Sequence, residues 1–125
     1  MIELDADGLI QRINQSAENV FGWTSRELTE RGASAKVLVR PEYHAEFDER
    51  WRQMIASRAP VAHLKIRNPR RDGIEVVCEW TITPLVNPEG NVIAVIAQGQ
   101  DITRQMEAEK LKKEFTSTLS HELRT

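Results

Sequence analysis

The side chains with most chemistry to offer are three histidines, one cysteine and several charge pairs. His121 stands directly beside Glu122. A neutral imidazole nitrogen is nucleophilic near pH 7, and a neighbouring carboxylate can take the proton released when that nitrogen forms a new bond. Taken alone, an exposed helical histidine is more often simply solvated. His44, His63, His121 and Cys78 fall at no close ligand spacing of the Cys-x-x-Cys or His-x-x-x-His kind, so no metal site is expected. The six glycines are scattered through turns and build no phosphate-cradling loop.

The chain has 125 residues, enough for one domain with an appendage. Hydrophobic residues make up 40% and charged residues 29%, so a core can form without disulfide staples. Seventeen basic and nineteen acidic residues leave a net charge of -2, which argues against a general polyanion binder. Arg67, Arg70 and Arg71 flank a turn, and Lys110, Lys112 and Lys113 share a helix face with acidic neighbours; no nucleic-acid partner is expected. A lone cysteine suits a reduced, cytoplasmic protein. The longest apolar run, Val92 to Ala97, is far too short to span a bilayer, and residues 1–5 do not read as a signal peptide. A membrane anchor outside these residues stays open.

These residues need elements to hold them. Asp7-Gly8 signals a tight turn between two short strands. Asn14 is placed to cap a short helix with Ala17, Val20 and Phe21 on its apolar stripe, ended by Gly22. A second short helix starts after Thr24 or Ser25 and stops by Gly32. Pro41 opens a longer helix, with Tyr43, Phe47, Trp51 and Met54 on one face and Glu46–Arg50 and Asp48–Arg52 pairs on the other. Pro60 marks its exit. Then the period becomes two. Ala62, Leu64 and Ile66 alternate up to a turn at 68–73, and Val76, Cys78, Trp80 and Ile82 alternate up to Pro84. Cys78 reads as a small core hydrophobe. Val92 to Ala97 does not alternate and predicts a central strand covered on both faces. The result is an α+β fold, an antiparallel sheet with helices on one face.

From Thr103 to Thr125 there is neither glycine nor proline. Ala108, Leu111, Phe115, Thr118 and Glu122 recur at helical steps, thickened by Leu119 and Leu123. Glu109–Lys113 and Lys110–Glu114 are placed to pair. A coiled-coil-like helix of about 20 residues, roughly 30 Å long, is predicted, and it needs a partner to bury its stripe.

Two family resemblances follow. Asp7-Gly8, Ile10, Asn14, Ala17 and Phe21-Gly22-Trp23, with Asp72-Gly73, Glu79 to Leu85, Gly90 to Ile93 and Gly99 to Thr103, resemble a PAS domain over residues 1–104. That resemblance implies a five-stranded antiparallel sheet in order 2-1-5-4-3. Residues 105–125 resemble the signalling helix and H-box of sensor histidine kinases, carried by Phe115 to Leu119 and Ser120-His121-Glu122-Leu123-Arg124-Thr125. By this resemblance His121 is the phosphoacceptor on the first helix of a dimeric four-helix bundle, and Glu122 is suited to accept its proton. The motif is cut at Thr125. The proline that usually follows it, the second bundle helix and the ATP-binding domain are not in these residues, so the chain alone is expected neither to bind ATP nor to phosphorylate itself.

In the PAS fold, Phe47, Trp51 and Met54 would face Leu64, Trp80 and Ile96. This set reads as a filled core in preference to a cavity for an unknown small ligand. Haem is disfavoured because the position of the family's ligating histidine falls at Phe47, and His44 lies on another face. A flavin adduct is disfavoured because residues 34–39 lack the reactive cysteine of light sensors. Asp101-Ile102-Thr103 reads as a helix cap and as a junction passing strain from sheet to helix.

The combined reading is a sensory PAS domain of a histidine kinase that relays a signal to His121. It would act as a homodimer through the C-terminal helix and the PAS surface, with a kinase ATP-binding domain and a response regulator as partners. The rival is a ligand-free PAS module for dimerisation. A ligand-gated transcription factor is disfavoured because no helix-turn-helix appears.

Overall fold

The short local signals act first. Gly8 takes φ 85° in the turn after β1 (Ile2–Leu4), where a side chain would be strained. The Asp5 carboxylate accepts from the backbone N–H groups of Asp7 (3.0 Å) and Leu9 (2.9 Å), so the turn closes and β2 (Ile10–Ile13) runs back antiparallel. Asn14 caps α1 (Gln15–Phe21) by accepting from Ala17 N–H, and Gly22 ends it with φ 78°. Thr24 and Glu27 form a reciprocal capping box on α2 (Ser25–Glu30). The computed structural model describes residues 1–124.

Two 3₁₀ turns, Ala35–Leu38 and Pro41–Tyr43, lead into α3 (His44–Ser57). Pro41 therefore opens a 3₁₀ turn, and the α-helix itself begins three residues later. Arg50 pairs with Glu46 as spaced, but Arg52 turns to Glu49 and Asp48 to Lys36, so the Asp48–Arg52 pair does not form. Three long strands follow: β3 (Val61–Pro69), β4 (Glu75–Val86) and β5 (Val92–Asp101). The sheet order is β2-β1-β5-β4-β3, every pair antiparallel, as the resemblance implied. The last element is α4 (Thr103–Arg124).

Three expectations change. β3 carries a bulge between Val61 and Leu64 with His63 at φ 56°, so Val61 is half-buried and Ala62 is exposed. β4 does not stop at Pro84 but runs on to Val86; β3 pairs no further than Ile82, so the proline sits where one side of the strand is a free edge. β5 is central but not covered on both faces. Val95 and Ala97 are buried, Ala94 and Ile96 are only half-buried, and Ile93 is 61% exposed. Its apolar run reflects its place between β1 and β4 and not a second covering layer.

The core lies between the helices and the inner face of the sheet. Ile2, Leu4, Ile10, Phe21, Leu28, Leu38, Met54, Trp80 and Val95 belong to one buried cluster. Phe21 and Trp80 stack with centroids 5.9 Å apart. The turn between β3 and β4 is tied to α1 and α2 by Arg71, whose N–H donates to the Phe21 carbonyl and whose guanidinium pairs with Glu27 at 2.5 Å. Trp23 lies beneath both Arg31 and Arg71. The Thr24 hydroxyl, ahead of these arginines, holds the Glu27 carboxyl below its ordinary range.

Candidate functional site

A cavity of about 920 Å³ lies between α3 and the inner face of the sheet. Each wall follows from a sequence period. The four-residue step on α3 brings Phe47 and Trp51 to one side, with Met54 one turn on; the two-residue step on the strands brings Leu64, Ile66, Trp80, Ile82 and Ala97 to the other. Ile2, Leu4 and Leu38 close the inner end. Phe47 and Trp51 stack at 5.8 Å, and Trp51 Nε1 donates to the Ala6 carbonyl at 2.8 Å, which fixes α3 to the β1–β2 turn. Gly8 lets that indole approach, since a Cβ there would already touch it at 3.5 Å.

The floor is a polar pair inside an apolar wall. Asn68 is 1% exposed. Its amide N–H donates to the Leu38 carbonyl at 2.6 Å, and its carbonyl accepts from Trp80 Nε1 at 2.9 Å. Such a buried amide is tolerated because both ends are partnered. His44 does not line the cavity. Its Nε2 lies 3.0 Å from the Lys36 carbonyl and 2.8 Å from that of Val39, so this nitrogen carries the proton and serves the 3₁₀ turn.

A sealed apolar void of this volume would cost on the order of 20 kcal/mol, more than the roughly 5–15 kcal/mol that stabilises a whole domain. The space is therefore sustainable only when shared with solvent or a guest through its mouth, which Arg40, Tyr43, Glu46 and Arg50 help to line. Met54 and Trp80 are buried as a core reading expects, while Phe47, Trp51 and Leu64 are only half-buried and line this space.

The sheet passes into α4 through three residues. Asp101 pairs with Cys78 at the end of β5. Its carboxylate accepts from Thr103 N–H at 3.0 Å and from the Thr103 hydroxyl at 2.6 Å. The same Thr103 oxygen accepts from Val77 N–H on β4 at 3.0 Å. Ile102, 5% exposed, donates its N–H to the Val77 carbonyl at 2.8 Å. The first turn of α4 is thus bolted to two strands. Beyond it the helix stands alone, with Leu111 67%, Phe115 69%, Leu119 48% and Leu123 80% exposed on one stripe. Glu109–Lys113 and Lys110–Glu114 do not close to ion-pair distance among the described residues. His121 is exposed in the last turn, and Glu122 follows it; Thr125, the last residue of the H-box match, lies outside the described residues.

A family model described as the PAS fold matches residues 1–107. The chain belongs to the PAS fold family. The PAS domain of a protein from Colwellia psychrerythraea superimposes with a TM-score of 0.73 at 17% identity, covering 82% of this chain and 85% of that one. Among curated proteins, the phosphate regulon sensor protein PhoR of Pseudomonas aeruginosa is 29% identical over 126 residues, covering 100% of this chain and 25% of its own length. The autoinducer 2 sensor kinase/phosphatase LuxQ of Vibrio cholerae is 40% identical over 63 residues, covering 39% of this chain and 7% of its own. The chain therefore spans a quarter or less of the curated relatives it matches.

Within the PAS domain, five of the six residues first grouped as the pocket, Phe47, Trp51, Met54, Leu64 and Trp80, line one cavity. Ile96 does not. On β5 the inward positions are Val95 and Ala97, and Ile96 points to the opposite face, so Ala97 takes its place. Asn68 was missed because Asn-Pro in a sequence reads as a turn, yet it falls within β3. Gly99 was read only as part of a motif. A Cβ there would sit 2.8 Å from two atoms of the Trp80 ring, so its lack of a side chain admits that ring. Cys78 is 2% exposed, and burial, with the Asp101 charge a smaller cause, pushes its thiol up to about 11. Among the described residues no cluster of ligating side chains could hold a metal ion, and no helix is long and apolar enough to cross a membrane.

Proposed function

We propose that this chain is the sensory PAS domain of a sensor histidine kinase together with the start of its phosphoacceptor region. Occupation of the cavity alters the sheet, the Asp101-Ile102-Thr103 junction carries the change into α4, and α4 sets how His121 meets a kinase ATP-binding domain. The observation that carries this reading is the junction: a buried Ile102, two hydrogen bonds that Thr103 donates to Asp101 and one that it accepts from Val77 make the first turn of α4 continuous with the sheet. His121 lies eighteen residues further along the same helix, about 27 Å at 1.5 Å per residue. Likeness to PhoR and LuxQ supports the kinase context.

In the proposed reaction an imidazole nitrogen of His121 attacks the γ-phosphorus of ATP. The bond to the ADP oxygen breaks, and the proton on the other ring nitrogen passes to Glu122. The phosphoryl group then goes to a response regulator. The exposed Leu111, Phe115, Leu119 and Leu123 stripe is covered by α4 of a second copy, which makes the active species a homodimer. The cavity favours sensing over a module used for dimerisation alone, because assembly needs no space between α3 and the sheet.

The test is site mapping in the full-length protein that carries this chain. After incubation with ATP, an alkali-stable, acid-labile phosphate should map to His121 and vanish in His121→Gln. Phosphate on another residue, or none in a protein shown to bind ATP, would overturn the assignment.

A further inference from the structure

We propose that Trp80 is the side chain through which the cavity acts on the Asp101-Ile102-Thr103 junction. The inference rests on the sensor reading and names the residue that links its two ends. Beyond the cavity lies a second, smaller space of about 30 Å³, roughly one water molecule's share of liquid. Phe21, Cys78, Gly99 and Asp101 help to line it. Among the described residues Trp80 alone lines both spaces. The other sheet residues of the cavity wall, Leu64, Ile66, Ile82 and Ala97, reach no part of the smaller one. The indole is therefore the partition between them, with Asp101 on its far side.

Hydrogen bonds tie the indole to the near side. Trp80 Nε1 donates to Asn68 Oδ1 at 2.9 Å, and Asn68 Nδ2 donates to the Leu38 carbonyl at 2.6 Å. Leu38 belongs to the 3₁₀ turn that His44 and the Lys36–Asp48 pair hold to α3. A displacement of α3 or of that turn therefore moves the Leu38 carbonyl. Asn68 must follow, because it is 1% exposed and a partner left behind would be stranded away from water. While Asn68 is fixed the indole is fixed; when Asn68 shifts, the ring goes with it. Phe21 stacks on the ring within 10° of parallel, so the indole can slide in its own plane and keep that contact. On the far side it meets β5 directly, since a Cβ at Gly99 would lie 2.8 Å from two ring atoms. Gly99 lies two residues before Asp101 on that strand. The Asp101 carboxylate holds Thr103 and, through the Thr103 hydroxyl, Val77. A sliding indole thus presses on β5 where it hands over to α4, and the smaller space gives it room to move.

The test uses the chain itself, isotope-labelled for magnetic resonance, and amide hydrogen exchange at Ile102, whose N–H donates to the Val77 carbonyl. Exchange is read relative to Leu28, an amide bonded to the Thr24 carbonyl in α2, so that a general loss of stability cancels. Asn68→Ala, which cuts the link, should speed exchange at Ile102 at least about fivefold on this scale. In a Trp80→Phe background, where the indole N–H is already gone, the same change should alter it by less than about twofold. Coupling is reciprocal. Thr103→Val should therefore shift the indole N–H signal of Trp80 and leave in place that of Trp51, which bonds the Ala6 carbonyl. Trp23→Phe and Trp51→Phe assign the signals. An unchanged exchange ratio in Asn68→Ala, a full effect of Asn68→Ala in the Trp80→Phe background, or a Trp80 signal unmoved by Thr103→Val would each overturn the proposal. If Asn68→Ala or Trp80→Phe does not fold by circular dichroism, the Thr103→Val shift decides alone. Because no phosphate is measured, failure here leaves the phosphoacceptor role of His121 to its own test.

Discussion

Replacing Gly99 by alanine should destabilise the PAS domain although the change adds one methyl group to ordinary strand backbone. Gly99 faces Trp80 in register between β5 and β4. The new Cβ would lie 2.8 Å from Trp80 Cε3 and Cζ3 and 3.0 Å from Cδ2. Something must move, and the indole is poorly placed to do so: it is 6% exposed, stacks on Phe21 and donates to Asn68 at 2.9 Å. Overpacking of this kind costs about 1–3 kcal/mol. If the ring moves enough to break the Asn68 bond, the orphaned buried groups add about 1–3 kcal/mol more. The smaller entropy of an unfolded alanine offsets about 0.4–1 kcal/mol. A net loss of about 2 kcal/mol is expected, which for a domain of this size lowers the thermal midpoint by roughly 6–10 °C. Urea unfolding followed by tryptophan fluorescence and by far-UV circular dichroism measures it. The double variant with Trp80→Leu isolates the cause, since leucine has no atoms at the Cε3 and Cζ3 positions. In that background Gly99→Ala should cost at least about 1 kcal/mol less than in the wild type. A single variant within about 0.5 kcal/mol of wild type, or strict additivity in the cycle, would refute the close-approach argument.

Three further outcomes follow from the same contacts. Asn68→Ala strands the Trp80 indole N–H and the Leu38 carbonyl, so unfolding in urea should show a loss of about 2–4 kcal/mol. Cys78 favours its neutral form in the fold, so its contribution is fully present below the unfolded thiol value and falls away as pH rises from 9.0 towards about 11; the urea midpoint should drop more steeply over that window in the wild type than in Cys78→Ala. Phe115→Glu places a charge on the exposed stripe of α4, and sedimentation should show a dimer shifted towards monomer with unchanged circular dichroism of the PAS domain.

The boundaries of α1, α2 and the first hairpin could be read from single residues, because Asn14, Gly22, Thr24 and Gly8 act on backbone groups a few positions away. The strand order came from the family resemblance, and the place of β5 agreed with it. An unalternating apolar run marks a central strand without proving a cover on both faces, as Ile93 and Ile96 show. The lining residues of the cavity were legible, but not the space between them. Phe47, Trp51 and Met54 have the spacing of a packing face, and whether such a face touches its sheet or stands off it depends on contacts distant in sequence, such as Trp51 with Ala6 and Asn68 with Leu38. The bulge at His63 and the burial of Asn68 were hidden for the same reason, since both need a partner strand to define them. The Asp101-Ile102-Thr103 junction was legible as a cap; its second role, holding Val77 of the neighbouring strand, was not.

In the proposed function, the PAS domain governs His121 through that junction. The most direct measurement is the initial rate of phosphate incorporation at His121 in the full-length protein, wild type against Thr103→Val. Valine keeps the shape of the residue but removes the oxygen that links Asp101 to Val77. His121 should remain the phosphorylated residue while the rate changes at least about fivefold, the lower end of typical coupling between sites. An unchanged rate in a folded Thr103→Val protein would contradict it.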